Sequence, residues 1–455
     1  MSDIPRNKYL SDPLGQLYIK TALPIIFVMG MNGALTVADA LFLGHYVGPQ
    51  ALAAVTLMFP IYMLIAACAT LVSSGMSSIL ARHLGGDRIA QARAVFAGAH
   101  GLALLVAGIL IVLSGLFGAT IASLSAASDP ALAQMGLTYL RITVFFTPLM
   151  FVLSVNSDAL RNEGRVGFMA AMSLLVSLAN IAFNYVLIAK LNMGVAGSAY
   201  GTGMAQLLAF AIIATFRLRG KTPLPFVVLR QSSWLHGWTR MLALGAPQSL
   251  NFTGLALGSA AIMAALQLAQ TPHYADTVTA YGIITRIVTF TYLPMLGLSF
   301  AMQSITGNNY GAGLWVRSAR SLQIALATSL VYCVIVQIIV TSFAVQIGAA
   351  FVDDPDVIAE VARIIPIMAI VFFLMGPLMM VASYFQTIGD ATRAAILGLS
   401  KPYLFAIPLT FVLPMVFGEP GIWYAGPLAE VMLLLLTIAV VALRRSQKRS
   451  QEVTQ

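Results

Sequence analysis

Apolar residues in this chain run on in long unbroken stretches. They do not fall on the one face in two, or one stripe in a turn, that a half-buried strand or helix of a water-soluble protein shows. The stretches are 19–43, 51–80, 92–116, 136–160, 166–189, 196–217, 240–269, 278–306, 318–350, 358–387, 392–416 and 421–443. The hydrocarbon layer of a bilayer is about 30 Å thick, and a helix rising 1.5 Å per residue crosses it in about 20 apolar residues. Strands of a membrane barrel would instead alternate polar and apolar residues in short segments. The pattern predicts an all-α polytopic membrane protein with twelve transmembrane helices, numbered here as spans 1 to 12.

Composition agrees. Hydrophobic residues make up 59% of the 455 and charged residues only 9%, where a soluble domain carries about 25%. The surplus apolar surface must face lipid. The N-terminal stretch MSDIPRNKYLSDPLGQLYIK is polar and is expected to carry no cleavable leader. The first apolar run is too long for the core of one, so it is read as a retained span.

Lysines and arginines give the direction of threading, because cytoplasmic loops hold an excess of them. With the N-terminus inside, every basic residue except Arg141, Lys190, Arg286 and Arg363 falls in or beside an inner segment, Lys401 being counted among the inner ones. The outer loops hold acids instead: Asp129, Asp276, Asp353, Asp354, Asp356 and Glu419. Twelve spans then leave both termini in the cytoplasm of a bacterial-type inner membrane. The net charge of +9 follows from this threading and, being scattered over short loops, does not point to nucleic acid. Cys68 and Cys333 lie inside apolar runs and are read as packing residues.

The chain also repeats itself. Its longest connection, 218–239, is basic and holds Pro223 and Pro225. It separates a first lobe, 19–217, from a second, 240–443, with short cytoplasmic ends at 1–18 and 444–455. Pro24 matches Pro247, LGGD at 84–87 matches YGAG at 310–313, RNEGR at 161–165 matches QTIGD at 386–390, and GVAG at 194–197 matches GEPG at 418–421. A near-constant offset of about 225 residues is the mark of a duplicated unit. Six spans per copy preserve topology, which gives two pseudo-symmetric six-helix bundles related by an axis along the membrane normal.

Several segments carry a family resemblance: VADALFLGHYVGPQALAAVTL at 37–57, ARHLGGDRIAQA at 81–92, ALRNEGRVGFMAA at 159–171 and NIAFNYVLIAKLNMGVAGSAYGT at 180–202. Further on come LGAPQSL at 244–250, YGIITRI at 281–287, ITGNNYGAG at 305–313 and PGIWYAGPLAE at 420–430. In this order and spacing the chain resembles the multidrug and toxic compound extrusion (MATE) family. The resemblance implies a secondary transporter, not an enzyme. It would export cationic or amphipathic small molecules by alternating access, in exchange for protons or sodium and with no cofactor. Flippases for lipid-linked saccharides share the superfamily and are the alternative. Members often carry an N-x-x-x-D pattern in span 5, where this chain reads Asn180-Ile181-Ala182-Phe183-Asn184. That departure speaks against a two-carboxylate proton site in the first lobe, while the lack of an acid in the middle of spans 7 and 10 favours protons over sodium.

Polar groups inside the spans give candidate sites. An ionised Asp at mid-bilayer costs about 2.5–3.5 kcal/mol even on lenient scales, so Asp39 in span 1 needs a reason. Asn32, Thr36 and Asp39 share one helical stripe, as do Ser177, Asn180 and Asn184 in span 5 and Ser198, Thr202 and Gln206 in span 6. Asn156 in span 4 adds to them. Asp39, Asn180 and Asn184 are the expected ion-coupling residues. Asn32, Thr36, Asn156, Thr202 and Gln206, with Gln248, Asn251, Arg286 and Glu430 in the second lobe, are the expected substrate-lining residues. The same side chains could also act as interhelical hydrogen-bond glue. Arg286 and Glu430 are expected to pair with each other, and Asp158 and Arg161 to be solvated interface charges. The expected partners are a small-molecule substrate and the lipid bilayer, and the chain is expected to work as a monomer.

Overall fold

The structure is a computed structural model and describes residues 7–126, 129–219, 222–269 and 274–453. Among these residues there are helices and no strands. Ten single helices are long and apolar enough to cross a membrane: Leu14–Tyr46, Pro49–Gly85, Ile89–Ser125, Val166–Lys190, Gly194–Leu218, Trp238–Leu268, Tyr274–Gly311, Trp315–Ser342, Ala391–Phe417 and Pro420–Arg444. Two bent pairs, Pro130–Phe145 with Thr147–Asn162 and Pro355–Ala369 with Phe372–Ile388, make spans 4 and 10 and complete the twelve. The protein is a multi-pass membrane protein whose exposed large side chains, among them Leu116, Leu124, Ile338, Leu404 and Leu435, form the lipid-facing surface.

The bends have local causes. Span 4 turns by 48° at Phe146, just before Pro148, because proline donates no backbone hydrogen bond and its ring crowds the preceding turn. Span 10 turns by 47° between Ala369 and Phe372. Backbone groups freed inside a membrane must find partners within the protein. At this break Gln337 of span 9 supplies both, donating to Ile370 O at 3.1 Å and accepting from Phe373 N at 3.0 Å. Spans 5 and 11 each contain a wide π-helical segment, Tyr185–Lys190 and Ser400–Ala406. The second holds Pro402.

Two compact units are present: residues 1–249 with 303–315, and residues 250–302 with 316–455. This boundary lies beyond the 218–239 connection, because the first turns of span 7 and the last turns of span 8 pack into the first unit. Glycines make that packing possible. A Cβ on Gly75 would sit 2.0 Å from Met241 O, and one on Gly245 1.9 Å from Leu71 O. Spans 2 and 8 cross reciprocally: a Cβ on Gly85 would sit 1.9 Å from Asn308 O, and one on Gly311 2.0 Å from Arg82 O. The repeated LGGD and YGAG motifs are thus the two sides of one close helix crossing.

Near that crossing the first unit holds its charges in buried networks. Arg161 is 2% exposed. It pairs with Asp158 at 3.2 Å and donates to Ser77 at 2.9 Å, Gln303 at 3.1 Å and Ser304 at 3.2 Å. The expectation of solvated charges at Asp158 and Arg161 is therefore corrected; the short side chains of spans 2 and 8 leave room for the guanidinium. The Tyr9 hydroxyl donates to Arg161 O at 2.6 Å, and burial pushes that hydroxyl well above its ordinary pKa, so it stays a donor. A second network centres on Arg217, which donates to Glu163 at 2.9 Å, Asn156 Oδ1 at 2.6 Å and Leu224 O at 2.8 Å. It also lies over the Phe96 ring, 4.7 Å from its centroid.

In the second unit the core gathers around Trp423, with Ile284, Val361, Ile364 and Ile365. Arg363, one of the basic residues that the threading leaves on the outer side, pairs with Glu360 at 2.7 Å and Glu419 at 2.9 Å. Two acids thus surround one cation there. Lys401 is corrected as well: it lies inside span 11, in the π-helical segment, and not in an inner loop.

Candidate coupling and substrate site

Asp39 sits in span 1, seven residues before the helix ends at Tyr46, about 10 Å along the axis. Asn184 closes the regular part of span 5, immediately before the π-helical segment. Its amide donates to Asp39 Oδ1 at 2.5 Å. One turn earlier, Asn180 can serve the same carboxylate. Turned with its oxygen toward span 6, the Asn180 amide donates to Asp39 Oδ1 at 2.9 Å and accepts from Thr202 N at 3.2 Å and Thr202 Oγ1 at 2.8 Å. Turned the other way, it donates to Thr202 Oγ1 at 2.8 Å and accepts from Asn184 at 3.0 Å. Asn180 and Asn184 are fully buried.

Span 6 reaches this network because it carries Gly201. A Cβ there would lie 2.1 Å from Asn184 Oδ1. Among the described residues Asp39 forms no ion pair with a lysine or arginine. Two tyrosines unremarked in the sequence, Tyr62 and Tyr139, stand close enough to feel its charge. Ser177 Oγ, Asn184 Oδ1 and Gln206 Oε1 are buried and have no hydrogen-bond partner among the described residues. A lone carboxylate ringed by amides and hydroxyls can take up one positive charge, as a proton or as a monovalent cation.

The structure brings Asp39, Asn180, Asn184 and Thr202 into contact and disperses the other expected site residues. Asn32 is exposed on span 1. The side chain of Thr36 lies outside the described residues. Asn156 is held by Arg217 and by the His100 ring at 3.1 Å, so its amide is engaged in the buried charge network. Gln248 accepts from Ser74 at 2.5 Å, and Asn251 donates to Tyr292 at 3.4 Å. Arg286 is exposed. The expected Arg286–Glu430 pair is corrected: Glu430 pairs with Lys401 at 2.7 Å. Spacing along span 8 does not say which face carries Arg286, and that face turns outward.

The second unit also holds a half-open cavity of about 170 Å³. Its lining comes from spans 8 to 12 and is mostly apolar, with Ile287, Val336, Met368 and Phe372 part of it; Lys401 and Glu430 line it as well.

Comparison with known proteins settles the family. The MatE family model matches residues 24–186 and 257–412, which is more than half of the chain. The chain belongs to the MatE family. It is 24% identical over 433 residues to an FAD transporter of Shewanella oneidensis, covering 94% of each chain. It is 21% identical over 426 residues to a probable multidrug resistance protein of Bacillus subtilis, covering 91% of this chain and 90% of that one. A solved MOP superfamily transporter from Pyrococcus furiosus has the same fold, with a TM-score of 0.88 and 20% identity over 98% of this chain and 99% of that one. Family members are transporters and not enzymes.

Proposed function

We propose that this protein exports small cationic or amphipathic molecules across the inner membrane in exchange for protons, and that Asp39 carries the proton. The observation that supports this reading is the Asp39 carboxylate, partly buried and held by the Asn184 amide at 2.5 Å, with no basic side chain paired to it among the described residues. A proton arriving from outside removes the cost of that charge. Inward movement down the membrane potential supplies about 2.3 kcal/mol per charge for each 100 mV.

The amides respond to the change. An ionised Asp39 takes a hydrogen bond from Asn180 as well as Asn184, and Thr202 then donates to the Asn180 oxygen. A protonated Asp39 can donate to that oxygen instead, and Asn180 then donates to Thr202. Spans 1, 5 and 6 therefore share two alternative hydrogen-bond patterns, one for each protonation state. Exchange requires that substrate and proton favour different packings, since a ligand shifts an equilibrium only by its differential affinity.

A lipid-linked-saccharide flippase is not favoured. The cavity of the second unit offers a multiply charged pyrophosphate a single lysine. The test is dye transport in inverted vesicles with a proton gradient and a sodium gradient imposed separately. Transport that follows the proton gradient and is lost in Asp39→Asn is expected. Transport that follows only sodium would replace the proton by sodium at the same carboxylate.

A further inference from the structure

We infer that the cavity of the second unit is a binding site for an amphipathic molecule that carries an anionic head, with Lys401 as the anchor for that head. The inference deepens the export reading by naming a substrate class, and it rests on that reading only for its use in transport.

The first observation is where the ion pair stands. Lys401 and Glu430 would be scaffold if they were packed inside protein, since each neutralises the other. They line a cavity of about 170 Å³ instead. The two partners are not equally open. The Glu430 side chain is 5% exposed and that of Lys401 35%. An ammonium has three N–H donors, and the contact with Glu430 at 2.7 Å is an ion pair that does not use them all. A cationic head would find the carboxylate covered by Lys401, whereas an anionic head finds donors.

The second observation is how the cavity is made. The 47° break in span 10 puts Ala369, Val371, Phe372 and Met375 on its wall. Gln337 holds that break open from span 9. On the facing side span 12 contributes Gly426 and Pro427, and a Cβ on Gly426 would meet nothing within 4 Å. The walls are apolar and include Met368 and Met375, whose flexible thioethers adapt to more than one shape. A body with aromatic or branched apolar surface therefore fits, with its charge at the Lys401 end.

The third observation is position in the repeat. At the offset of about 225 residues, Lys401 and Glu430 correspond to the polar stripes of spans 5 and 6 that hold Ser177 and Gln206. The two units thus carry polar groups at matching places in spans 5 and 11 and in spans 6 and 12, uncharged in the first unit and charged in the second.

The test is direct binding to the full chain in lipid nanodiscs, with empty nanodiscs as background. Three tritiated probes share one apolar body: 2-naphthylacetate, its methyl ester, and 2-naphthylethyl-trimethylammonium. The acid is expected to bind at least tenfold tighter than the ester or the ammonium. The double variant Lys401→Met, Glu430→Gln leaves no unpaired buried charge; it should weaken the acid at least tenfold and leave the ester within threefold. Val336→Phe keeps the ion pair, fills the cavity and should remove binding of acid and ester alike, which serves as the test should the double variant not be recovered from the membrane. Equal binding of acid and ester, tightest binding of the ammonium, or acid binding that survives in either variant overturns the proposal. Asp39→Asn is expected to bind the acid as the parent does, so loss of gradient-driven export and loss of this site are told apart.

Discussion

Gly201→Ala tests the coupling network at its tightest point. The new Cβ would sit 2.1 Å from Asn184 Oδ1, and ordinary contact begins at about 3.4 Å. Either span 6 backs away or the Asn184 amide moves by about 1.3 Å, the difference between those two distances. Moving the amide carries Asn184 Nδ2 from 2.5 Å to beyond hydrogen-bonding reach of Asp39. A hydrogen bond to a charged group contributes about 1.5–3 kcal/mol, so the balance between the two states of Asp39 should change by about 10- to 100-fold. Gly203→Ala is the matched control on the same helix. Its Cβ would meet the Phe146 ring at 2.5 Å and leave Asp39 untouched. Overpacking of this kind costs about 1–3 kcal/mol, so both variants should melt at lower temperature in detergent. Only Gly201→Ala should also shift the pH dependence of dye efflux from inverted vesicles. A Gly201→Ala protein with the parental pH profile and rate would show that the Asn184–Asp39 contact plays no part in coupling.

Asp39→Asn keeps the shape of the side chain and removes the titratable group; gradient-driven efflux should vanish and its pH dependence flatten, while expression and melting stay near parental. Undiminished proton-driven efflux would remove Asp39 from the mechanism. Gln337→Leu leaves Ile370 O and Phe373 N without their partner, each at a cost of about 1–3 kcal/mol; reduced thermal stability is expected, and an unchanged melting temperature would mean that the break in span 10 satisfies itself. Reporter fusions should place residues 222–235 and 446–453 in the cytoplasm and residues 353–356 outside; an external C-terminus would overturn the threading drawn from the basic loops.

The helical architecture was legible because lipid imposes a one-dimensional constraint. Every span must be long, apolar and internally hydrogen-bonded, and that requirement shows in the chain without any knowledge of neighbours. The Asp39 network was legible for a related reason: few polar residues occur in these spans, and those on the facing stripes of spans 1, 5 and 6 had few other places to go. Partner choice was not legible where several faces were open. Glu430 was expected to meet Arg286 and meets Lys401, because a single cation within span 11 disappears into the hydropathy of its surroundings and was counted with the loops. Asn156 was grouped with the site because it lies on an apolar helix, yet it belongs to Arg217, whose burial nothing in the local pattern announces. The glycine crossing was visible only as a repeated motif; its meaning lies in atoms two hundred residues away.

The π-helical turn after Asn184 has a consequence for comparing this chain with distant relatives. Such a turn accommodates one residue more than a regular helix of the same span, and in a regular helix each residue advances the rotation by about 100°. Loss of one residue between Tyr185 and Lys190 could therefore be absorbed by a change of winding, leaving Asn180 and Asn184 facing span 1 and the turn at Gly194 in place. At identities near one residue in four, as with the Shewanella protein, alignments should accept a single-residue gap at this point without disturbing the register on either side. Where a relative lacks that residue, forcing an ungapped match there would assign the wrong residue to the position that touches Asp39.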